Sequence, residues 1–210
     1  MGLNVEFVFG PRFSSDNTPE SPWLGMGASQ VAHDVWGRYA EIARRGLVFS
    51  ASCAAVALGT AFTTTPPISV WNPSGSNKYI SILKSHLNVT TVQTTVNTVA
   101  YGAVNAQATK PTGGAAAVPQ SALIGSTITG IGQAFSASTL TAAPTLVGSA
   151  FQLSSGGTAS SALTTCVTDW VEGSMLLLPG SAMGMQGVTA AGTGSGIITV
   201  YWAEIPFNQS

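Results

Sequence analysis

The stretch that decides the fold reads YISILKSHLNV and covers residues 79–89. Apolar and polar side chains largely alternate along it, which is typical of a β-strand with one buried face. The same alternation returns near the C-terminus, where residues 198–205 read ITVYWAEI. Both segments therefore predict strands that turn one face towards a core.

Further short β-segments lie around this stretch. They are rich in Val, Ile, Thr and aromatic residues and cover residues 68–71, 78–89, 95–104, 174–178 and 196–205. Segments rich in Gly, Pro and Asn predict turns at residues 72–77, 178–180 and 190–196. Many short strands punctuated in this way predict a mainly β fold, an antiparallel β-sandwich or jelly roll with an N-terminal extended arm and one short helix.

Charge is distributed unevenly along the chain. Lys, Arg, Asp and Glu make up 7% of the 210 residues, against about 25% in an ordinary soluble domain. All four arginines lie within the first 45 residues, whereas residues 46–77 and 111–168 carry no charge. This break predicts two regions, an N-terminal arm and helix over residues 1–46 and a β-sandwich body over residues 47–210.

The N-terminal region predicts an arm followed by a helix. Three prolines make residues 7–24 unsuitable for a regular element, so we expect this arm to be extended. Apolar residues then recur at spacings of three and four, which predicts a helix. Ser29 is its predicted N-cap, and Gly46 is predicted to end it. The uncharged residues 47–62 are too short and too rich in Ala for a membrane span, and predict a buried strand.

Ala, Gly, Ser and Thr make up 35 of the 53 residues at positions 109–161. A loop of this length would normally be flexible, but disordered segments usually carry charge or much Pro, and this segment has one charged residue, Lys110, and three prolines. Small side chains allow backbones to approach closely, and uncharged surface costs little to bury. We therefore expect the segment to pack against other subunits or to cover the sandwich, with a flexible loop as the alternative.

The composition leaves little acid–base, metal or redox chemistry. A formal net charge of −1 and a pI of about 6.0 argue against nucleic acid as a partner. Cys53 and Cys166 lie far apart and outside any zinc-binding spacing, so we expect two small buried side chains in preference to a disulfide. The chain is predicted to be no enzyme and to use no cofactor and no metal.

Three patterns suggest chemistry only weakly. The glycines of residues 192–196 precede a strand and predict a turn, because a phosphate loop precedes a helix and needs a Lys. His33 and His86 have no serine nucleophile motif beside them. Asp169 and Glu172 flank Trp170, which is compatible with a carbohydrate site of two carboxylates and an aromatic platform, or with a turn that enters a strand.

Four of the five tryptophans divide into two groups. Trp71 and Trp202 occupy strand positions and are predicted to be core or sandwich-edge residues. Trp23 and Trp36 lie in the charged arm and helix, where aromatic residues with arginines are typical of an anchor for another protein; the alternative is that they fold back on their own domain. The predicted interface residues are Arg12, Trp23, Trp36, Arg38, Tyr39, Arg44 and Arg45.

Two segments resemble small virion proteins of phages. Residues 70–83, VWNPSGSNKYISIL, are similar to the strand, Asn-Pro-x-Gly-Ser, strand opening of those proteins. Residues 175–180, MLLLPG, and residues 200–206, VYWAEIP, look like their C-terminal end. The resemblance covers residues 47–206 and is to decoration or cement proteins, β-sandwich or jelly-roll modules that are often trimeric and staple neighbouring capsomers.

The resemblance implies a function and a location. It implies a capsid protein that bridges neighbouring major capsid proteins, associates with itself as a homotrimer and lies on the capsid surface of the virion after synthesis in the host cytoplasm. It implies no catalytic residue and no membrane or nucleic-acid partner. A head fibre, tail appendage or jelly-roll coat protein is the near alternative, and a carbohydrate-binding module or glycan hydrolase is the alternative from another class.

Overall fold

A computed structural model describes residues 39–91, 96–153, 166–189 and 194–207. Internal contacts divide the chain into two units, Met1–Arg45 and Gly46–Ser210. This boundary lies one residue before the one that the charge distribution predicts. The roles assigned to the two regions stay predictions.

The described part of the first unit contains one short helix, α1 (Ala40–Arg44). Gly46 follows it with a φ of +70°, a conformation that glycine adopts without the strain of a Cβ. The predicted helix end at Gly46 is therefore confirmed. The predicted arm at residues 7–24 and the predicted N-cap Ser29 lie outside the described residues.

The second unit is made of β-strands. In chain order its described strands are β1 (Val48–Ser52), β2 (Val56–Ala57), β3 (Ile68–Asn72), β4 (Lys78–Thr91), β5 (Asn97–Val104), β6 (Ala115–Ala117), β7 (Gln120–Ser121), β8 (Gln133–Ser136), β9 (Thr145–Leu153), β10 (Cys166–Leu177), β11 (Ser181–Gly187) and β12 (Ser195–Pro206). They form two six-stranded sheets in which every pairing is antiparallel. The predicted mainly β, antiparallel sandwich is confirmed.

The order of strands places β4 and β12 in the interior of the first sheet and β3, β11 and β5 in the interior of the second. The first sheet runs β10-β4-β12-β1-β7, with β2 also paired to β12, and the second runs β6-β8-β3-β11-β5-β9. Side chains between the sheets form one core that includes Trp202, Ile82 and Met185, all fully buried. Trp71 is also buried, so both tryptophans predicted for the core lie in buried positions.

Four of the predicted strands agree closely with β3, β4, β5 and β12, but two predictions need correction. Residues 174–178 are only the end of β10, which begins at Cys166. Residues 47–62 contain two strands, β1 and β2, of which β1 is largely buried. In the described ranges no helix is long and apolar enough to cross a membrane.

Two of the predicted turns carry the chain from one sheet to the other. The turn at residues 73–77 joins β3 to β4, and the turn at residues 178–180 joins β10 to β11. The amide Nδ2 of Asn72 donates to the carbonyl oxygens of Lys78 at 2.8 Å and Leu177 at 2.9 Å, which ties the two turns together. Of the third predicted turn, residues 190–193 lie outside the described residues.

The described part of the small-residue segment belongs to the sandwich. Strands β6 to β9 lie within residues 109–153 and all but β7 join the second sheet. Pro144 lies over Gly102 and Gly184, together with Phe62 and Pro66, so that a Cβ on either glycine would collide with these side chains. Residues 109–153 therefore contribute strands to both sheets and a cover for the second sheet, which agrees with the prediction that the segment covers the sandwich.

The two cysteines are free thiols in different surroundings. Cys53 is buried, as predicted, and burial raises the pKa of its thiol. Cys166 is exposed, so the prediction of a buried side chain is wrong there. It begins β10, an edge strand of the first sheet.

A pair of neighbouring glycines tests whether close backbone packing requires the small residues. Gly113 and Gly114 have φ values of +66° and +63°, but only at Gly114 would a Cβ collide with backbone atoms, those of Ser136 and Ala137. We expect Gly114→Ala to lower the free energy of unfolding by about 2–4 kcal/mol and Gly113→Ala by about 1 kcal/mol. Urea denaturation measures both variants, and equal losses would contradict this explanation.

Candidate interaction surface

The described interface residues of the N-terminal unit gather around one carboxylate. Glu41 accepts hydrogen bonds from Arg44 Nε at 2.9 Å and from Arg45 Nε at 2.9 Å. The two arginine side chains hold the pKa of Glu41 down at about 2. They are 63% and 65% exposed, so the cluster offers one excess positive charge to solvent.

The other interface residues are distributed as follows. Tyr39 is half-buried immediately before α1. Arg12, Trp23, Trp36 and Arg38 lie outside the described residues. Their role as an anchor stays a prediction.

The acidic pair at Trp170 does not form the site that its spacing suggests. Asp169 and Trp170 are consecutive on β10 and point to opposite faces of the sheet. The hydroxyl of Tyr101 donates to Asp169 Oδ2 at 2.9 Å, whereas Trp170 is 54% exposed. Glu172 has a φ of +53° and lies where the register of β10 against β4 shifts.

Asp169 has a structural role that the sequence does not reveal. Tyr101, on β5 of the second sheet, places its buried hydroxyl 2.5 Å from Ser85 Oγ and 2.9 Å from Asp169 Oδ2, both on the first sheet. Burial, more than the Asp169 charge, raises the pKa of Tyr101. The neutral hydroxyl therefore joins the two sheets across the core.

A tyrosine pair tests this connection. We expect Tyr101→Phe to lower the free energy of unfolding by about 1–3 kcal/mol, because Ser85 and Asp169 lose a buried partner. The matched control is Tyr79→Phe. Tyr79 is half-buried, packs edge to face against Phe207 with the ring centroids 4.2 Å apart, and makes no hydroxyl hydrogen bond in the described structure. There we expect a change within about 0.5 kcal/mol. Similar losses in thermal or urea unfolding would contradict the connection.

The outer face of the first sheet carries an ordered group of polar and aromatic side chains, which we call the outer strip. The strand register places its eight members in two rows across β10, β4, β12 and β1. One row is Trp170, Lys84, Tyr201 and Ser50, and the other is Thr168, His86, Thr199 and Ser52. The sequence shows these residues only as polar positions of separate strands.

Lys84 holds the centre of the outer strip. Its Nζ lies 5.0 Å from the ring centroid of Trp170 and 4.5 Å from that of Tyr201, within the range of cation–π attraction. Lys84 forms no ion pair with a carboxylate in the described structure. The ammonium is therefore held in place by aromatic rings and keeps its charge available.

The second row of the outer strip is linked by hydrogen bonds. His86 Nδ1 lies 2.7 Å from Thr168 Oγ1, and Ser52 Oγ lies 2.7 Å from Thr199 Oγ1. Burial, followed by the charge of Lys84, lowers the pKa of His86. His86 is therefore neutral at pH 7, and Lys84 supplies the positive charge of the strip.

Large apolar side chains are also exposed, one of them in the outer strip. Among the described residues, twelve large hydrophobic side chains are at least 37% exposed: Val96, Val118, Leu123, Ile124, Ile128, Ile131, Leu146, Val147, Trp170, Leu176, Leu178 and Ile205. The whole body from residue 46 onward contains only six charged residues, Lys78, Lys84, Lys110, Asp169, Glu172 and Glu204. Five of the twelve lie close together in the chain, within residues 118–131, and grouped apolar surface is typical of sites that bind other proteins.

The described residues offer little that could react. They contain no group of three or more His, Cys, Asp or Glu side chains that could hold a metal ion. A shallow groove of about 460 Å³ is lined by Tyr79, Ile205, Pro206 and Phe207, which include no carboxylate, imidazole, amine or thiol. The arrangement can bind through surface contacts, and it places no nucleophile beside a base in that groove.

Comparison with known proteins adds no relative to this description. No family model, no curated protein and no solved structure matches the chain. Its function is therefore argued from its own residues and their geometry.

Proposed function

We propose that the protein is a structural virion protein, a capsid decoration or cement protein that bridges neighbouring major capsid proteins and stabilises the shell. The observation that supports this proposal most is the composition of the exposed surface, where twelve large apolar side chains stand beside very few charges. Such a surface is costly to expose to water and favourable to bury against a partner. A protein whose task is to stay between neighbours needs this property.

The use of the few ionisable groups supports the same proposal. Glu204 is buried and accepts from Lys78 Nζ at 3.0 Å, and Asp169 accepts from Tyr101. These carboxylates hold the fold together. Of the six charged residues of the body, Lys84 and Lys110 form no ion pair within the described residues.

Self-association is the second part of the proposal. Strand β9 is an edge of the second sheet, and its first three residues, Thr145–Val147, are all exposed. No charged residue lies between positions 111 and 168, so this edge lacks the charges that usually prevent strands from pairing between molecules. We propose a homotrimer whose subunits are in contact at this edge.

Capsid attachment is assigned to the N-terminal region. In the proposal, residues 1–46 grip the major capsid protein through Trp23, Trp36 and the arginines, and the body forms the trimer on the capsid surface. A head fibre, tail appendage or coat protein would use the same apolar surface and stays the alternative. Neither role needs a cofactor, a nucleic acid or a membrane.

Cosedimentation with capsids tests the proposal. Undecorated capsids of the phage that encodes the chain should bind the purified protein, and Trp23→Ala with Trp36→Ala should weaken binding at least about tenfold, as expected for interface anchors. Asn88→Ala, at an exposed polar position of β4 outside the proposed anchor and outside the twelve apolar side chains, is the control and should bind as the unaltered chain does. Absence of the wild-type chain from the capsid pellet would contradict the proposal.

A glycan panel separates the rival class. Hydrolysis of any glycan that is abolished by Glu172→Gln would favour a glycan hydrolase and reject a purely structural role. The proposal predicts that neither the unaltered chain nor Glu172→Gln hydrolyses any glycan above the rate of the buffer blank.

A further inference from the structure

The outer strip is a second surface whose chemistry differs from that of the apolar surface. It presents a fixed ammonium, two aromatic rings and several hydroxyls, whereas the second sheet is covered on its outer side by segments of the chain itself. Its strands β4 and β12 are central, so their backbone groups are already paired in the sheet. A ligand on this face must therefore bind to side chains, which disfavours an added peptide strand.

The positive charge of the outer strip determines the sign of the charge that a ligand must carry. Lys84 has no carboxylate partner in the described structure, and Asp169 points to the opposite face of the sheet. The nearest acid along β10, Glu172, lies past the register shift. The strip as a whole is therefore complementary to an anion.

The remaining side chains of the outer strip indicate the chemistry of the uncharged part of that ligand. Trp170 is 54% exposed, which leaves apolar ring area that water does not hydrate well. Thr168, Thr199 and His86 lie one row away and supply donors and acceptors. A pyranose ring combines an apolar C–H face with hydroxyls, and a uronic acid adds the carboxylate that Lys84 would bind.

We propose that the outer strip binds an acidic polysaccharide, with a uronate carboxylate on Lys84 and a sugar ring against Trp170. The interaction is non-covalent and leaves the glycan intact. It does not depend on capsid attachment, because it uses none of the predicted capsid anchors.

Binding of the full chain to immobilised polygalacturonate tests this proposal, with neutral dextran as the reference surface. We expect binding to polygalacturonate alone, weakened by added salt. Lys84→Met keeps the apolar stem and removes the charge, and Trp170→Ala removes the ring; each should weaken binding about tenfold. Lys84→Met still tests the proposal if Trp170→Ala does not fold.

The matched control is Leu176→Ala, which changes an equally exposed side chain of β10, 56% exposed, outside the strip. It should bind as the unaltered chain does, and thermal unfolding should show that all variants are folded. Absence of polygalacturonate binding, equal binding to dextran, or an equal loss in Leu176→Ala would overturn the proposal. Tighter binding of a single-stranded oligonucleotide than of polygalacturonate would also overturn it.

Discussion

The Glu204→Ala variant is expected to lose about 3–5 kcal/mol of unfolding free energy, the range found when one partner of a buried ion pair is removed. Glu204 is fully buried, and its carboxylate accepts from Lys78 Nζ at 3.0 Å and from the backbone N–H of Gly132 at 2.8 Å. Alanine would leave both donors without an acceptor. Because the side chain of Lys78 is 26% exposed, water can reach it, and the loss should fall towards the lower end.

Two variants control this prediction. Glu204→Gln retains an oxygen for Gly132 but places an NH2 donor where the second oxygen accepts from Lys78, so the ion pair is lost and only the Gly132 hydrogen bond remains. We therefore expect a loss smaller than with alanine. Glu41→Gln removes an exposed ion pair, so we expect the smallest loss of the three variants there. Urea denaturation at one fixed protein concentration measures all three, since stability depends on concentration if the chain is oligomeric. A loss below about 1 kcal/mol for Glu204→Ala would contradict a structural role for this carboxylate.

The double variant Leu146→Lys with Val147→Lys is expected to convert the oligomer into monomers of 21.3 kDa. Both side chains are more than half exposed on β9, and this prediction depends on the proposed self-association at that edge. Two lysines would repel their counterparts and would have to lose hydration to enter an apolar contact. Light scattering after size-exclusion chromatography measures the change.

Ser149→Lys is the matched control for this variant. Ser149 is also exposed on β9, but it is polar already, so one added charge there should weaken association less. Thermal unfolding should show the same folded state in both proteins. An unchanged oligomer in the double variant would exclude the first residues of β9 from the subunit contact.

Alternation in the sequence predicted strands well where the buried face is apolar throughout. It could not show the irregularity in β4. The inward positions of this strand are Ile82 and then Ser85, three residues later, because the pairing passes over Leu83. It also missed the first half of β10, because Asp169 occupies an inward position there. The inward carboxylate of Asp169 is stabilised by the hydrogen bond from Tyr101. Tyr101 lies on the other sheet, so no local sequence pattern can indicate this partner.

The small-residue segment shows a different limit of pattern reading. In β6, Ala115–Ala117 offers no contrast between apolar and polar positions, so no period can be detected. Pairing with β8, not intrinsic preference, makes these residues a strand. Their small size remains informative, because it predicted the close backbone approach that Gly114 requires.

The candidate surface could be predicted only in part. Exposure of the polar face of β4 follows from alternation, which includes Lys84 and His86. Contact of Lys84 with Trp170 and Tyr201 depends on the register of three strands that are far apart in the chain. The suggested pair of Asp169 and Glu172 did not lead to this surface. Asp169 and Trp170 are consecutive strand residues and face opposite ways, so Asp169 lies on the other side of the sheet from Trp170.

The mass of the purified full-length chain in solution tests the central claim most directly. Size-exclusion chromatography with light scattering should give one species of about three times the 21.3 kDa chain mass. That result would agree with a surface shaped to be buried between copies. A single monomeric species of 21.3 kDa at every concentration would contradict the account.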